Sequence, residues 1–406
     1  MKKHLKYLLL IIILISVQVT WYSILWISYA NNVDLLKESD FRAFYSAGLI
    51  AKDYGTNLVY NLDVESQTQE KITGYPIAQG ELLTFNHPPL LLPVLAIIAH
   101  FPYQTAYSVY GFGLLLLTIL SLIFFYKTLR SKNWPTLWVW LTLIAAFLFE
   151  PLFISILKGQ DTVLLLLGLV IWFTGFLKDD DRQAGLGLAL TTIRPQISIF
   201  LAIPFLFNKR KIFVWYFLGA GLLVFYSYLM VGKQGFLDYL TLLRLSSTGQ
   251  EFGLNLSAMF NFTGLILRIF PGMDSILINY IKWSLFGLSL LGLILIWRRS
   301  QKIDTRHIVL LVIASLLSSP HLHYHDLAAL LVPIIGMLLI WVNGSVIQEK
   351  TAPLIILTIS IIFLIGNIFT PLYHILPYII MVLLVLGSWA PERFIINSKN
   401  LTIKLE

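Results

Sequence analysis

Five short polar stretches interrupt an otherwise apolar chain, and they hold the side chains able to do chemistry. The first is Asp40-Phe41-Arg42-Ala43-Phe44-Tyr45-Ser46-Ala47-Gly48, and the second is Asn86-His87 ahead of Pro88-Pro89. The third is Lys158-Gly159-Gln160-Asp161, and the fourth is Arg194-Pro195 inside an apolar run. The fifth runs Ser318-Ser319-Pro320-His321-Leu322-His323-Tyr324-His325-Asp326. A carboxylate such as Asp40 can take a proton from an attacking hydroxyl. Arginine, lysine and histidine can stabilise charge gathering on a phosphate. The chain has no cysteine, so thiolate and disulfide chemistry are unavailable to it.

Each stretch also has a plainer reading, set by the element that would carry it. Asp40 precedes a helical pattern that brings Phe41, Phe44, Tyr45, Gly48 and Leu49 to one face. Such a helix could lie in the membrane interface, where its N-terminal dipole favours an ionised acid by up to ~1 kcal/mol. Alternatively, Asp40 is an N-cap whose oxygens satisfy the next turn. Three of the eight histidines fall within five residues. At i, i+2 and i+4 they would ligate zinc together only in an extended segment. Otherwise they cap a helix, or donate to a phosphate at a helix N-terminus while Asp326 orients one ring.

Arg194-Pro195 breaks the apolar segment from Ala184 to Phe207, which has basic residues at both flanks. That pattern predicts a broken hairpin dipping into the membrane, where an arginine is buried against a partner or a wet cavity. The other reading is an arginine snorkelling to the interface. Asp179-Asp180-Asp181 reads as a solvated turn.

The composition sets the context for these residues. Of 406 residues, 57% are hydrophobic and 12% charged, with mean hydropathy +0.79; a soluble chain would carry about 25% charged residues. The net charge of +8 fits lysines and arginines in cytoplasmic loops and gives no reason to expect a nucleic-acid partner. The apolar run from Leu8 to Tyr29 exceeds the roughly 7–15 residues of a signal-peptide core, so it predicts an uncleaved first helix.

The hydrophobic runs predict an all-α polytopic membrane protein with about 10–12 transmembrane helices, ten of them full spans. Leu90–Ala99 and the segment around Arg194 would be partial-depth elements, and both termini would be cytoplasmic. Two long outer loops, about 30–87 and 232–280, would carry interfacial helices. Gly249-Gln250-Glu251 and Asn255-Leu256-Ser257 in the second would be substrate-facing turns. This orientation brings Asp40, His87, Gln160 and the histidine cluster to one side. No P-loop and no glycine-rich dinucleotide motif is present, so ATP and NAD are not expected.

In their order, D-F-x-x-F-Y-x-A-G, N-H-P-P, G-Q, a basic residue before Pro, and S-P-H-x-H-x-H-D together resemble family 87 of the GT-C glycosyltransferases. These are multi-spanning enzymes of the polyprenol-phosphate-mannose-dependent type. The resemblance covers residues 1–345 as a catalytic module, leaving 346–406 as C-terminal helices and a tail. Other members carry Lys-Pro where this chain has Arg194-Pro195, and Trp where it has His323. The arginine keeps the charge but changes the geometry offered to a phosphate.

The resemblance implies a hexose, mannose by family type, moved by inversion from a polyprenyl-phosphate sugar to a lipid or glycan acceptor of the cell envelope. Asp40 would be the base. Arg194, His323, His325 and Lys158 would hold the donor phosphate, and Arg42, Tyr45, Asn86, His87, Gln160 and Asp326 would contact substrate. Neither metal nor nucleotide cofactor is implied. The enzyme would sit among the lipids of a prokaryotic inner membrane with its site outward. Two rival readings are a secondary transporter, which would also use a broken helix, and an O-antigen-ligase-like enzyme.

Overall fold

The computed structural model describes residues 2–248 and 256–390. The turns expected at Gly249-Gln250-Glu251 and at Asn255 lie outside the described residues. The described residues form helices joined by loops, without a strand. Helix α1 (Lys2–Asn31) is followed by a long loop built from α2 (Val33–Lys37), α3 (Phe41–Asp53) and α4 (Leu62–Thr73). After α5 (Leu92–Ile98) come α6 (Tyr103–Ser131) and α7 (Thr136–Phe147), which bends by 49° into α8 (Glu150–Leu157). Next are α9 (Thr162–Leu177), α10 (Asp181–Leu190), α11 (Pro195–Ala202) and α12 (Arg210–Thr248). The remainder is α13 (Phe262–Ile269), α14 (Ser275–Arg299), α15 (Thr305–Ser318), α16 (Leu331–Asn343), α17 (Ala352–Ile368), α18 (Thr370–Tyr373) and α19 (Leu376–Trp389).

Among the described residues, six helices are long and apolar enough to cross a membrane, or seven if bent α7–α8 is one span. With α7–α8 taken as one span, three shorter apolar helices, α9, α15 and α19, account for the difference from ten full spans. Fourteen to sixteen residues cannot cross a hydrocarbon core that needs about 20. Helix α9 has 13 of its 16 residues buried, so it is walled by protein rather than lipid. Leucines and isoleucines of α1, α6, α12 and α14 are exposed, as a lipid-facing belt requires. The chain is a multi-pass all-α membrane protein.

Two boundaries differ from the sequence expectation. The loop predicted from residue 232 is largely helix: α12 is two helical pieces joined at Gly232, φ 67°, and continues to Thr248. Helix α3 is also no half-exposed amphipathic helix, because every residue from Phe41 to Gly48 is buried. Its Gly48 passes against α5 so closely that a Cβ there would lie 2.4 Å from the Leu95 carbonyl oxygen. The break at Arg194-Pro195 is present, with a single 3-10 turn (Thr191–Ile193) between α10 and α11. The C-terminal α17 packs on α1, α7 and α8.

Side chains, not a sheet, pin the extended stretch that ends the first loop. Gln69 donates to the Leu83 carbonyl (2.7 Å), and Glu65 accepts the Phe85 N–H (2.7 Å). Tyr60 donates to the His87 carbonyl (2.7 Å). Burial pushes the Glu65 carboxyl up to about 8, opposed by the Phe85 N–H, which favours the ionised form. Folded Glu65 therefore holds a proton between about 4.5 and 8 that the unfolded chain has released. Stability from this group is full below 4.5 and falls as pH rises to 8, by at most about 1.4 kcal/mol per unit. Glu65→Gln should flatten that slope and melt higher than wild type at pH 8. Thermal unfolding in detergent across this range checks it.

Candidate active site

A cavity of about 970 Å³ opens where the polar stretches converge. Asp40, Asn86, His87, Lys158, Gln160, Arg194, His323, His325 and Asp326 all line it. Arg42 and Tyr45 do not. The Arg42 guanidinium donates to the Glu81 carbonyl (2.7 Å), and the Tyr45 hydroxyl donates to the Phe101 carbonyl (2.9 Å). Both fasten the loop around α3.

Asp40 occupies the N-cap position of α3, but its side chain makes no capping hydrogen bond. Phe41 explains how the acid is held. Its ring is packed against Tyr45, Tyr103, Tyr107 and Tyr110, with centroids 5.3–5.9 Å away. The Phe41 N–H donates to the Lys158 carbonyl (3.0 Å), tying the start of α3 to the turn between α8 and α9. That turn needs Gly159. Its φ is +71°, and a Cβ there would lie 2.8 Å from the Phe41 Cβ. Gly159→Ala should cost about 1–3 kcal/mol from backbone strain alone and displace Asp40. The expected result is a lower melting temperature with a disproportionate loss of turnover.

The cavity wall carries a buried charge network, with Asp161 behind it. Arg194 Nη1 is 2.9 Å from Asp161 Oδ1, and Arg194 Nε is 3.4 Å from Asp326 Oδ1. His87 Nδ1 is 2.9 Å from Asp161 Oδ2 and 2.8 Å from Arg194 Nη1. One ring nitrogen cannot donate to the acid while accepting from the guanidinium, so the His87 tautomer decides between them. Thr162 donates to Asp326 Oδ1 (2.9 Å), and the His323 N–H donates to Asp326 Oδ2 (3.1 Å). Arg194 is thus paired, not snorkelling, and two carboxylates compete with any phosphate for its charge.

Asp161 stands in the third polar stretch, but sequence reasoning assigned it no role of its own. Its side chain caps nothing. An intramembrane arginine demands a counter-ion, and the acid opening an apolar helix was the available signal.

His325 stands between two acids: its Nδ1 is 4.0 Å from Asp40 Oδ2 and its Nε2 3.7 Å from Asp326 Oδ2. The rings of His321 and His323 are 4.6 Å apart, and those of His323 and His325 5.8 Å. Burial, then the neighbouring imidazoles, hold His321 and His323 below the usual histidine value, so at neutral pH they offer neutral N–H donors. Among the described residues, no group of three or more histidines and acids is arranged to hold a metal ion. Lys158 has its Nζ 5.3 Å from the Tyr29 ring centroid and makes no ion pair among the described residues. Gln160 contributes a buried carbonyl oxygen, Oε1, without a hydrogen-bond partner.

No curated protein matches the chain. Residues 85–320 match glycosyltransferase family 87, a span that takes in His87, Asp161 and Arg194 and leaves out Asp40 and the three clustered histidines. That span is more than half of the chain, and the protein belongs to glycosyltransferase family 87: it is a membrane glycosyltransferase.

Proposed function

We propose that this enzyme transfers a hexose, with mannose the expected sugar, from a polyprenyl-phosphate donor to a lipid or glycan acceptor of the cell envelope. The observation that carries the reading is the Asp40 carboxylate, which lines the cavity with no capping hydrogen bond. Asp40 takes the proton of the acceptor hydroxyl as that oxygen attacks the anomeric carbon. The bond from that carbon to the phosphate oxygen breaks, and prenyl phosphate leaves with the electron pair. His325, 4.0 Å from Asp40, can receive the proton in turn, with Asp326 orienting its ring.

Lys158 and the neutral N–H groups of the histidine loop meet the developing phosphate charge. Arg194 acts mainly through the loop it braces. A retaining route would use a second carboxylate about 5 Å from the first as nucleophile, by analogy with glycosidases. Asp326, the acid that His325 links to the base, is separated from it by the His325 ring. Inversion follows as the favoured course. The loop sidedness of lysines and arginines supports an outward-facing site in a prokaryotic inner membrane.

The test is donor binding. Purified protein should be stabilised against heat by prenyl-phosphate mannose and by prenyl phosphate, and not by GDP-mannose. Stabilisation by the nucleotide sugar alone would overturn the reading.

A further inference from the structure

The cavity wall holds a second acid that the transfer chemistry above does not use. Glu150 opens α8 at the bend from α7 and is 1% exposed, yet it lines the cavity. Its Oε2 accepts from the Tyr324 hydroxyl and its Oε1 from the Asn367 amide. The same amide is 2.9 Å from the Tyr324 hydroxyl oxygen. Three polar side chains from segments far apart in sequence therefore meet on one patch, and all three line the cavity.

Apolar Ile154, Leu364 and Ile368 line the same cavity, and no cation pairs with Glu150 among the described residues. A buried carboxylate without a counter-ion is costly, and within a membrane span an ionisable group is retained for what it binds. Each of its oxygens makes one hydrogen bond, and a carboxyl group keeps further hydrogen-bonding capacity beyond those two. Asn367 and Tyr324 fix the orientation of the group, which lines the cavity. The ligand chemistry it suits is a set of neutral hydroxyl donors, as on a sugar ring.

We propose that Glu150, oriented by Tyr324 and Asn367, is a specificity-determining residue that reads hydroxyl groups of the donor's sugar. This rests on the prenyl-phosphate-sugar reading above. Tyr324 lies between His323 and His325 in sequence, so a sugar held at Glu150 is registered against the loop that faces the base. The C-terminal α17, which supplies Asn367, thereby belongs to the binding site.

The experiment measures binding of prenyl-phosphate mannose, its monodeoxy analogues and bare prenyl phosphate to wild type and Glu150→Gln. Wild type should discriminate against one deoxy analogue. Glu150→Gln should bind the full sugar donor on the order of tenfold more weakly, lose that discrimination, and bind bare prenyl phosphate as wild type does. Tyr324→Phe and Asn367→Ala should lose part of the same discrimination, and they carry the test if Glu150→Gln does not fold. Equal weakening for sugar donor and bare prenyl phosphate, or unchanged discrimination, would overturn the proposal. A wild type that binds bare prenyl phosphate as tightly as every sugar donor would also overturn it, while leaving the donor lipid intact. A wild type that binds none of them overturns the donor reading itself.

Discussion

Asp40→Asn should lower kcat by about 10²–10⁴-fold, the range that a positioned general base supplies, while donor affinity and melting temperature stay near wild type. The second half of that expectation follows from the geometry. Asn keeps the shape and removes only the proton acceptor. The Asp40 side chain caps no N–H of α3, and α3 is held by the Phe41 ring cluster and by the Phe41 N–H on Lys158. Were Asp40 acting as a cap, replacing it with Ala would cost about 0.5–2 kcal/mol; here Asp40→Ala should melt like wild type and be just as inactive. Steady-state transfer assays beside thermal unfolding separate the two roles.

Arg194→Met should have the largest effect on stability, about 3–5 kcal/mol. Methionine approximates the volume of the stem and leaves Asp161 and Asp326, both buried, facing each other's surroundings without a cation. Arg194→Lys should recover only part of the loss. The guanidinium reaches Asp161 through Nη1 and Asp326 through Nε, and a single ammonium cannot copy that fork. Adding Asp161→Asn to Arg194→Met should be less harmful than the sum of the two changes, by about 0.5–3 kcal/mol of coupling. Additive losses would mean that the pair is not an energetic unit. Denaturation in detergent micelles, followed by tryptophan fluorescence, reads wild type, the three single variants and the double variant.

How far the sequence revealed the site depended on whether each residue's surroundings were local. Asp40, His87, Lys158, Gln160, Arg194 and His325 stood out as polar residues in apolar runs, and the cavity gathers all of them. Arg42 and Tyr45 shared a stretch with Asp40, but successive helical residues point in different directions, and theirs fasten the loop. Asp161 and Glu150 were hidden because nothing near them in the sequence marks a partner. Their partners are distant: Arg194 for the first, and Tyr324, 174 residues along the chain, for the second.

The fold was readable at the level of apolar runs and less so at their depth. Runs such as Thr162–Leu177 are apolar because protein surrounds them, and hydropathy cannot separate that from lipid. Gly232 marked a real break in the chain, and the sequence mistook a kink between helices for the start of a loop.

The most direct measurement is a single-turnover reaction of wild-type enzyme with prenyl-phosphate mannose and a membrane-extract acceptor pool, followed by mass spectrometry. Mannosylated acceptor and free prenyl phosphate should appear in equal amounts in wild type, with Asp40→Asn forming neither while still binding the donor. Donor binding without cleavage in wild type, or full turnover by Asp40→Asn, would contradict the account.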